Sequence, residues 1–572
     1  MRLSKITVEN FRGIRNAEIE LDRDVTVLVG ENNTGKTSVL EALRLCLDVV
    51  KSDTTCNFAD FDFYRDDTRQ ELPSCEPIKI TLSFLESEQH PWPDHIVQDL
   101  NDVIVGADYY AIKFRVTARY DADAGEPVQS WSFLDDADQE IVGREGRIKE
   151  LRRLRPFFFQ AALRAAKDEF HGQSTYWASF LKNKDIDDPT REQLEKELRD
   201  IHQKIVDAHA SFKDVTEEVT RISDLVAVGE TNAVTVDPAA PDIYKALRYD
   251  TEVNLLTTTD AKIPIRSHGE GTQSLSVLLL FSAYLKTRLQ EDVDKNAEPI
   301  VAIEEPEAHL HPNAIRAVWH LVKDLPGQKI VATHSGDILS EVPVPKLRRM
   351  NRNGNATECK AIPDGLLNDD ELRKCNHHVR RNRGELLFAR CWLLVEGETD
   401  VSVFAECAEI LGVDLHANGV RIVEYSQAGG PPLFIKVADS MGIDWHLVAD
   451  SDEGGRKYVE DARALLNGRS ETDHISSLTH PNIDILLCCS GYGKPYRDGV
   501  GWQKEAELEG LTGDSPEYWH KVYEIVKNAR GFSKPEAALK SLLLVREAGS
   551  DGVPPQLQSI LHQITDLGEA SS

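Results

Sequence analysis

The chain has 572 residues, 41% hydrophobic and 28% charged, with a net charge of −30; at roughly 100–200 residues per domain, this length predicts about three or four domains. Such acidity excludes a generally basic nucleic-acid coat, because affinity for phosphate comes chiefly from Lys and Arg releasing counterions, so any contact with DNA has to be local. No apolar run approaches the roughly 20 residues that span a bilayer, the start MRLSKITVENFRGI lacks the apolar core of a signal peptide, and the nine cysteines include no C-x-x-C spacing, which together predict reduced thiols, a cytoplasmic location and no membrane partner.

In chain order, 25–29 is a β-branched apolar run, and 38–47 carries Val39, Leu40, Leu43 and Leu47 at helical spacing. Between this strand and helix, Gly30-Glu31-Asn32-Asn33-Thr34-Gly35-Lys36-Thr37 fits G-x-x-x-x-G-K-[ST] at every fixed position. Asn32, Asn33, Thr34, Gly35, Lys36, Thr37 and Ser38 are therefore candidate nucleotide-binding residues. The glycines let backbone amides close around phosphate oxygens, Lys36 supplies a point charge, and Thr37 can ligate magnesium at the helix amino end.

The alternating runs IKITLSF, YYAIKFRVTARYD and VQSWSFL predict an antiparallel β lobe at 76–135. A helical region follows, in which Leu194, Leu198, Ile201, Ile205, Ala208, Phe212, Val215, Val219 and Ile222 keep a 4,3 spacing through about four heptads, the seam of a coiled coil or long helical hairpin. A helix packed on its own domain is the alternative. The sequence DPAAPD at 237–242 marks the return from this 76–250 insertion, which separates a head at 1–75 from its second part at 251–360. The local basic patches are REGRIKELRRLR at 144–155, KLRRMNR at 346–352 and HHVRRNR at 377–383; each alone also fits a solvated face.

In PIVAIEEPEAHLHP, 300–303 is continuously apolar, as a strand covered on both faces should be. Glu304 stands where a magnesium-directing carboxylate belongs, and Glu305 where a water-activating base would be. The strand in QKIVATHS places His334 at its tip, where it can sense a γ-phosphate. Together with ITVENFRGI and the phosphate loop, these segments resemble the ABC-type ATPase head shared by SMC-like repair proteins and the OLD (overcoming lysogenization defect) family. The resemblance implies ATP sandwiched between two copies, with Gly271 in the signature-like loop Gly269-Glu270-Gly271-Thr272-Gln273. Glu270 replaces the usual phosphate-contacting serine, Glu304 replaces the more frequent aspartate, and no convincing Q-loop glutamine is present. These departures weigh against rapid sandwich-type hydrolysis, though not against nucleotide binding.

After a basic linker at 361–388, the apolar strand 391–395 delivers Glu396 and Gly397 to a turn, with Thr399 and Asp400 opening the next helix. A second strand at 446–449 ends at Asp450-Ser451-Asp452. The residues between fit helix, strand, helix, giving a parallel sheet with both acidic groups at its carboxyl edge. Four carboxylates there call for hard cations such as Mg²⁺ or Mn²⁺, and two such ions suit phosphodiester cleavage. This ordered pair of motifs resembles a Toprim domain, placed at 389–545, with a C-terminal helix and tail at 546–572. WQKEAELEGL resembles the late acidic element of OLD nucleases, which implies Glu509, then Glu507, as a further ligand; SKPEAALK resembles their late lysine element, which implies Lys534 as a phosphate contact. The plain alternatives are a solvated helix and a surface lysine. Gly429-Gly430 matches a family turn beside the metal rim, or is only a loop.

The predicted fold is thus α/β: an ABC-type P-loop head with an inserted β lobe and helical dimerisation segment, followed by a Toprim domain. The resemblance covers residues 1 to about 540. It implies a metal-dependent DNA endonuclease controlled by ATP in a dimeric head, acting in anti-phage defence, as in the related nuclease subunit of Gabija systems, or in DNA repair. It also implies a homodimer or higher homo-oligomer, and a helicase or other defence-system partner. The rivals are an SMC-like repair ATPase whose Toprim domain binds DNA without cutting, a topoisomerase or primase, and a structural clamp driven by ATP. No zinc-binding cysteine set supports a primase, and no tyrosine-bearing cleavage domain is recognisable.

Overall fold

The computed structural model describes residues 1–570 except 48–55, 68, 107, 162–174, 181–185, 209–253, 257–261, 354–355, 383, 514 and 528. Strands β1 (Arg2–Phe11), β2 (Ile14–Glu20), β4 (Ile78–Leu85), β5 (Ala111–Asp121), β6 (Glu126–Leu134) and β7 (Glu140–Ile141) form one antiparallel sheet in the order β2-β1-β4-β5-β6-β7. The strands expected in a separate β lobe therefore extend the first hairpin: Val8 of β1 pairs with Ile80 of β4. The reason is a shared face, since Ile78, Ile80, Leu82 and Phe84 are buried in the same core as Leu3, Ile6, Val8 and Leu43. Alternation of apolar residues identified these strands but not their neighbours.

The second sheet has the order β14-β13-β3-β12-β11-β8, from β3 (Val25–Val29), β8 (Phe157–Gln160), β11 (Ile300–Glu304), β12 (Gln328–Ala332), β13 (Leu347–Asn353) and β14 (Ala356–Lys360). All but β14 run parallel. Its central strands are covered on both faces, which is why their sequences are continuous apolar runs: Val301 and Ile303 enter one core, Ile300 and Ala302 the other. The edge strand β8 lies inside the span expected to be inserted, so that insertion re-enters the head before 160. A small antiparallel pair joins β9 (Asn254–Leu256) to β10 (Lys262–Pro264).

The helix Asp188–Ala208 contains the first part of the expected seam. Among the described residues of this stripe, Ile201 and Ile205, one turn apart, are 52% and 56% exposed, while Leu194 and Leu198 are half-buried. The seam from 212 to 222 and the return at 237–242 lie outside the described residues.

The third sheet is fully parallel, β16-β15-β17-β18, from β15 (Cys391–Val395), β16 (Val420–Glu424), β17 (Asp444–Ala449) and β18 (Ile475–Ser477). The segment expected as a linker is a packed helix, Asp369–Arg381. Asn368 caps it by accepting from the Asp370 and Glu371 amides, while Glu371 accepts from the Asn368 amide in return. Its buried face carries Cys375, His378 and Val379, and the His378 ring stands edge-on to Phe434, 5.0 Å between centroids. The final helix Pro555–Ala570 is likewise no separate tail, because Leu557, Ile560, Leu561 and Ile564 cover Cys391, Leu393 and Val395. Among the described residues, no helix is long and apolar enough to cross a membrane.

Candidate functional site

The phosphate loop links β3 to the helix Lys36–Leu47. Gly30 has φ +154° and passes so close to β13 that a Cβ would lie 2.3 Å from the Met350 carbonyl oxygen, which requires glycine. Lys36 is buried and donates to the carbonyls of Gly30 (2.9 Å) and Glu31 (2.7 Å). Burial lowers its pKa to about 8, with Glu305 and Glu31 opposing the shift. Thr34 is buried, whereas Asn32, Asn33 and Thr37 are exposed at the mouth.

The other expected nucleotide contacts converge from neighbouring strands. The Thr37 hydroxyl donates to Glu304 Oε1 at the end of β11. Glu305 has φ +45°, a conformation uncommon for a side-chain-bearing residue, and its amide donates to the Ala332 carbonyl at 2.8 Å. Its carboxylate stands 3.8 Å from His334 Nε2. Burial and then Lys36 lower the His334 pKa. Sequence reasoning missed Glu307, whose Oε1 accepts from the Thr333 hydroxyl (2.5 Å) and the amides of His334 (3.2 Å) and Ser335 (3.1 Å), fixing the tip that presents the histidine. Gly271 lies in the first turn of the helix Glu270–Thr287, where a Cβ would meet the His309 carbonyl oxygen at 2.7 Å. Glu270, in place of the usual phosphate-contacting serine, stands 3.0 Å from His309 Nδ1.

The second constellation lies at the carboxyl ends of β15 and β17. Glu396 follows β15, and the Gly397 amide donates to Asp400 Oδ2 at 2.8 Å, fixing Asp400 in the first turn of the helix Glu398–Leu411. Asp450 follows β17, and Asp452 caps the helix Glu453–Arg463 by accepting from the Gly455 amide at 2.8 Å. A Cβ on Gly455 would lie 1.9 Å from the Asp450 carbonyl oxygen, so the tight turn depends on that glycine. Three residues before Gly429, the Ser426 amide donates to the Glu396 carbonyl, and Gly430 packs toward the Tyr458 ring.

The rim is electrostatically crowded. Asp450 is pushed up to about 9 by burial and by Asp400, Glu396, Asp452 and Asp484. Asp400 rises to about 7 through burial, opposed by its bond from Gly397 and reinforced by Asp484 and Glu396. Glu396 is raised by burial and by Asp452, and its Oε2 is buried without a hydrogen-bond partner. An orphaned carboxylate oxygen among like charges fits a hard cation. The side chains as they stand do not close on an ion: no group of three His, Cys, Asp or Glu is disposed to hold one among the described residues.

Asp484, in the short helix Ile483–Leu487, is the member that the sequence reading missed. It is only 2% exposed, accepts from the Tyr496 hydroxyl and stands 3.4 Å from Lys534 Nζ. Burial opposes the Lys534 ammonium, but Asp484 and Tyr523 outweigh it and raise its pKa. The structure thus places Lys534 beside Asp484 at the rim. Glu509 is not: it is exposed, and none of the contacts or charge effects on the rim involves it. Glu507 pairs instead with Lys504 and Lys521. The expected basic patches are largely engaged within the fold. In the first, Arg144 and Arg147 pair with Asp102, Arg153 with Asp99 and Asp294, and Arg155 with Glu298. In the second, Lys346 and Arg348 pair with Asp22, and in the third Arg381 pairs with Glu398.

A P-loop cradle with a carboxylate and a histidine on adjacent strand tips, followed by a parallel sheet with the V-E-G-x-T-D and D-S-D motifs, defines a protein with an ATPase-like head and a Toprim domain. The chain belongs to the family described as "Protein of unknown function (DUF2813)", whose model matches residues 1–385. Residues 387–452 match the model "Overcoming lysogenization defect protein-like, TOPRIM domain", which bears out the OLD resemblance. Among similar proteins, the uncharacterized protein YbjD of Escherichia coli (strain K12) is 28% identical, covering 99% of this chain and 98% of its own. The Old nuclease of Escherichia phage P2 is 22% identical, over 83% of this chain and 81% of its own. The OLD nuclease of Thermus scotoductus is 23% identical, over 95% and 98%.

Proposed function

We propose that this protein is a DNA endonuclease that uses Mg²⁺ or Mn²⁺ at the Toprim rim and is governed by ATP in its head. The observation that carries the reading is the crowding of Glu396, Asp400, Asp450 and Asp452 with Asp484, which burial and mutual repulsion make costly without a cation. Similarity to relatives named nucleases supports it. Glu396, Asp450, Asp452 and Asp484, with Asp400 behind them, are the residues that would hold one or two ions. Such ions activate water and stabilise the leaving oxygen of a phosphodiester. Lys534, held beside Asp484, meets the negative charge that gathers on the scissile phosphate.

In the head, Lys36 and the loop amides hold the triphosphate, Thr37 and Glu304 direct its magnesium, Glu305 orients water, and His334 reads the γ-phosphate. Rapid hydrolysis is not required for such a switch. The protein acts as a homodimer or higher homo-oligomer on DNA, in anti-phage defence or repair, with room for a helicase or other defence-system partner.

The test is nicking and linearisation of supercoiled plasmid with Mg²⁺ or Mn²⁺, with and without ATP. Asp450→Ala is expected to slow cutting by roughly 10³-fold, the scale of losing a group that supports transition-state charge. Lys36→Ala is expected to remove the ATP response. Cleavage equal in wild type and Asp450→Ala sinks the assignment, and a cellular phenotype that survives Asp450→Ala supports the non-cutting repair ATPase instead.

A further inference from the structure

The two sites are joined by an ion pair between a variable position of the phosphate-loop motif, Glu31, and Arg390, which lies outside both motifs. Arg390 immediately precedes β15, the strand that delivers Glu396. Its Nε lies 2.7 Å from Glu31 Oε1 and its terminal nitrogen 3.1 Å from Glu31 Oε2, a bidentate pair. Glu31 is the residue after the first glycine of the phosphate loop. One side chain therefore connects the loop that would grip a triphosphate to the root of the strand carrying a rim carboxylate.

Each end of this connection is fixed in a different way. The Arg390 amide donates to the Gly419 carbonyl and its own carbonyl accepts from Asp444, so its backbone is part of the Toprim sheet. Gly419 has φ +69°, and a Cβ there would come within 2.9 Å of the Arg390 side chain, so the missing side chain leaves room for the arginine to reach across. At the other end, the Glu31 carbonyl accepts from Lys36 Nζ and from the Thr34 hydroxyl at 2.9 Å. A triphosphate competes for that same Lys36 ammonium, a stronger partner than a neutral carbonyl. Recruiting Lys36 changes what holds the Glu31 backbone, and the Glu31 carboxylate carries the change to Arg390.

We infer that Glu31 and Arg390 are positioning residues that transmit nucleotide occupancy from the phosphate loop to Glu396 along β15. The inference rests on the proposed nuclease reading for its consequence, but its physical content is a coupling between two sites and is reciprocal. Nucleotide and rim cation should each change the other's affinity by the same factor, and the pair should carry that factor.

The experiment uses the full chain and a non-hydrolysable ATP analogue with Mg²⁺. Hydrogen exchange of residues 391–396 is followed with and without the analogue, beside analogue affinity and plasmid cleavage. Wild type should show a nucleotide-dependent change in exchange at these residues, and a change in cleavage within the roughly 5- to 150-fold range usual for coupled sites. Arg390→Ala should still bind the analogue but lose both responses. The swap Glu31→Arg with Arg390→Glu should recover them at least in part, which loss of packing alone would not produce. Glu31→Gln, which keeps the shape and removes the charge, provides the same test if Arg390→Ala folds poorly. An exchange response that persists in analogue-bound Arg390→Ala or Glu31→Gln overturns the inference, as does a wild type whose strand does not respond to bound analogue. Because exchange is read without DNA, absence of cleavage in wild type counts against the nuclease reading and leaves the coupling result standing.

Discussion

The nucleotide cradle and the carboxylate rim both stand where parallel strands end and helices begin, yet they settle their charge in opposite ways. In the cradle, Lys36 turns onto two carbonyls, His334 faces Glu305, and Glu307 takes three donors from one strand tip. At the rim, Asp450 and Asp400 are pushed toward protonation by neighbours of their own sign. The difference is what the proposed cation at the rim would offset. Lys36 and the strand tips of the cradle find partners within the protein, whereas among the described residues the five rim carboxylates are met by Lys534.

Replacing Asp484 tests the most consequential part of that contrast. Asp484→Asn is expected to weaken Mg²⁺ affinity or plasmid cleavage by about 10- to 100-fold, the range seen when groups supporting metal ligands are removed. An unchanged titration would make Asp484 merely a buried partner for Tyr496. Melting temperature against pH, in chelator, asks whether the crowding is real. A carboxyl near 3.9 when unfolded and raised when folded contributes stability below pH ~4 that is lost as pH rises through the folded value. The window therefore runs up to about 7 for Asp400 and about 9 for Asp450. Metal-free protein should melt progressively lower between these limits, Mg²⁺ should restore the melt most strongly at the alkaline end, and Asp450→Asn should raise the metal-free melt at pH 8. A flat profile that Asp450→Asn leaves unaltered would put the rim on the same footing as the cradle. Smallest is the effect of Asn368→Ala at the cap of the helix Asp369–Arg381, expected to cost about 1 kcal/mol of stability with cleavage at 25 °C preserved. Loss of cleavage there would move this helix from support into the site itself.

What was readable beforehand follows from how local each feature is. The phosphate loop, Glu304, His334 and the two acidic turns each sit between a strand and a helix a few residues apart, so pattern and chemistry coincide in one short window. Asp484 has no such window: it is one aspartate inside HPNIDILL, and only tertiary packing brings it to Asp450 and Lys534. Its signal was a lone carboxylate in an otherwise apolar turn, which cannot be buried cheaply without a purpose. The expectation for Glu509 comes from the resemblance of WQKEAELEGL to the late acidic element of OLD nucleases, and in the structure this carboxylate is exposed, as in the plain alternative of a solvated helix. The β strands at 78–134 were legible as strands, but their pairing with β1 depends on which apolar face completes which core.

Arg349 also bears on how this chain can be divided. From the Met350-bearing strand β13, its buried guanidinium donates to the carbonyls of Leu387, Ala389, Met441 and Gly442. The two family models meet between residues 385 and 387, which invites separate study of an amino-terminal and a carboxy-terminal piece. A polypeptide ended there would retain the arginine and discard all four of its acceptors, leaving a desolvated cation where the full chain has a knot. The seam between the two family models in sequence is crossed in the fold by these four bonds of one arginine.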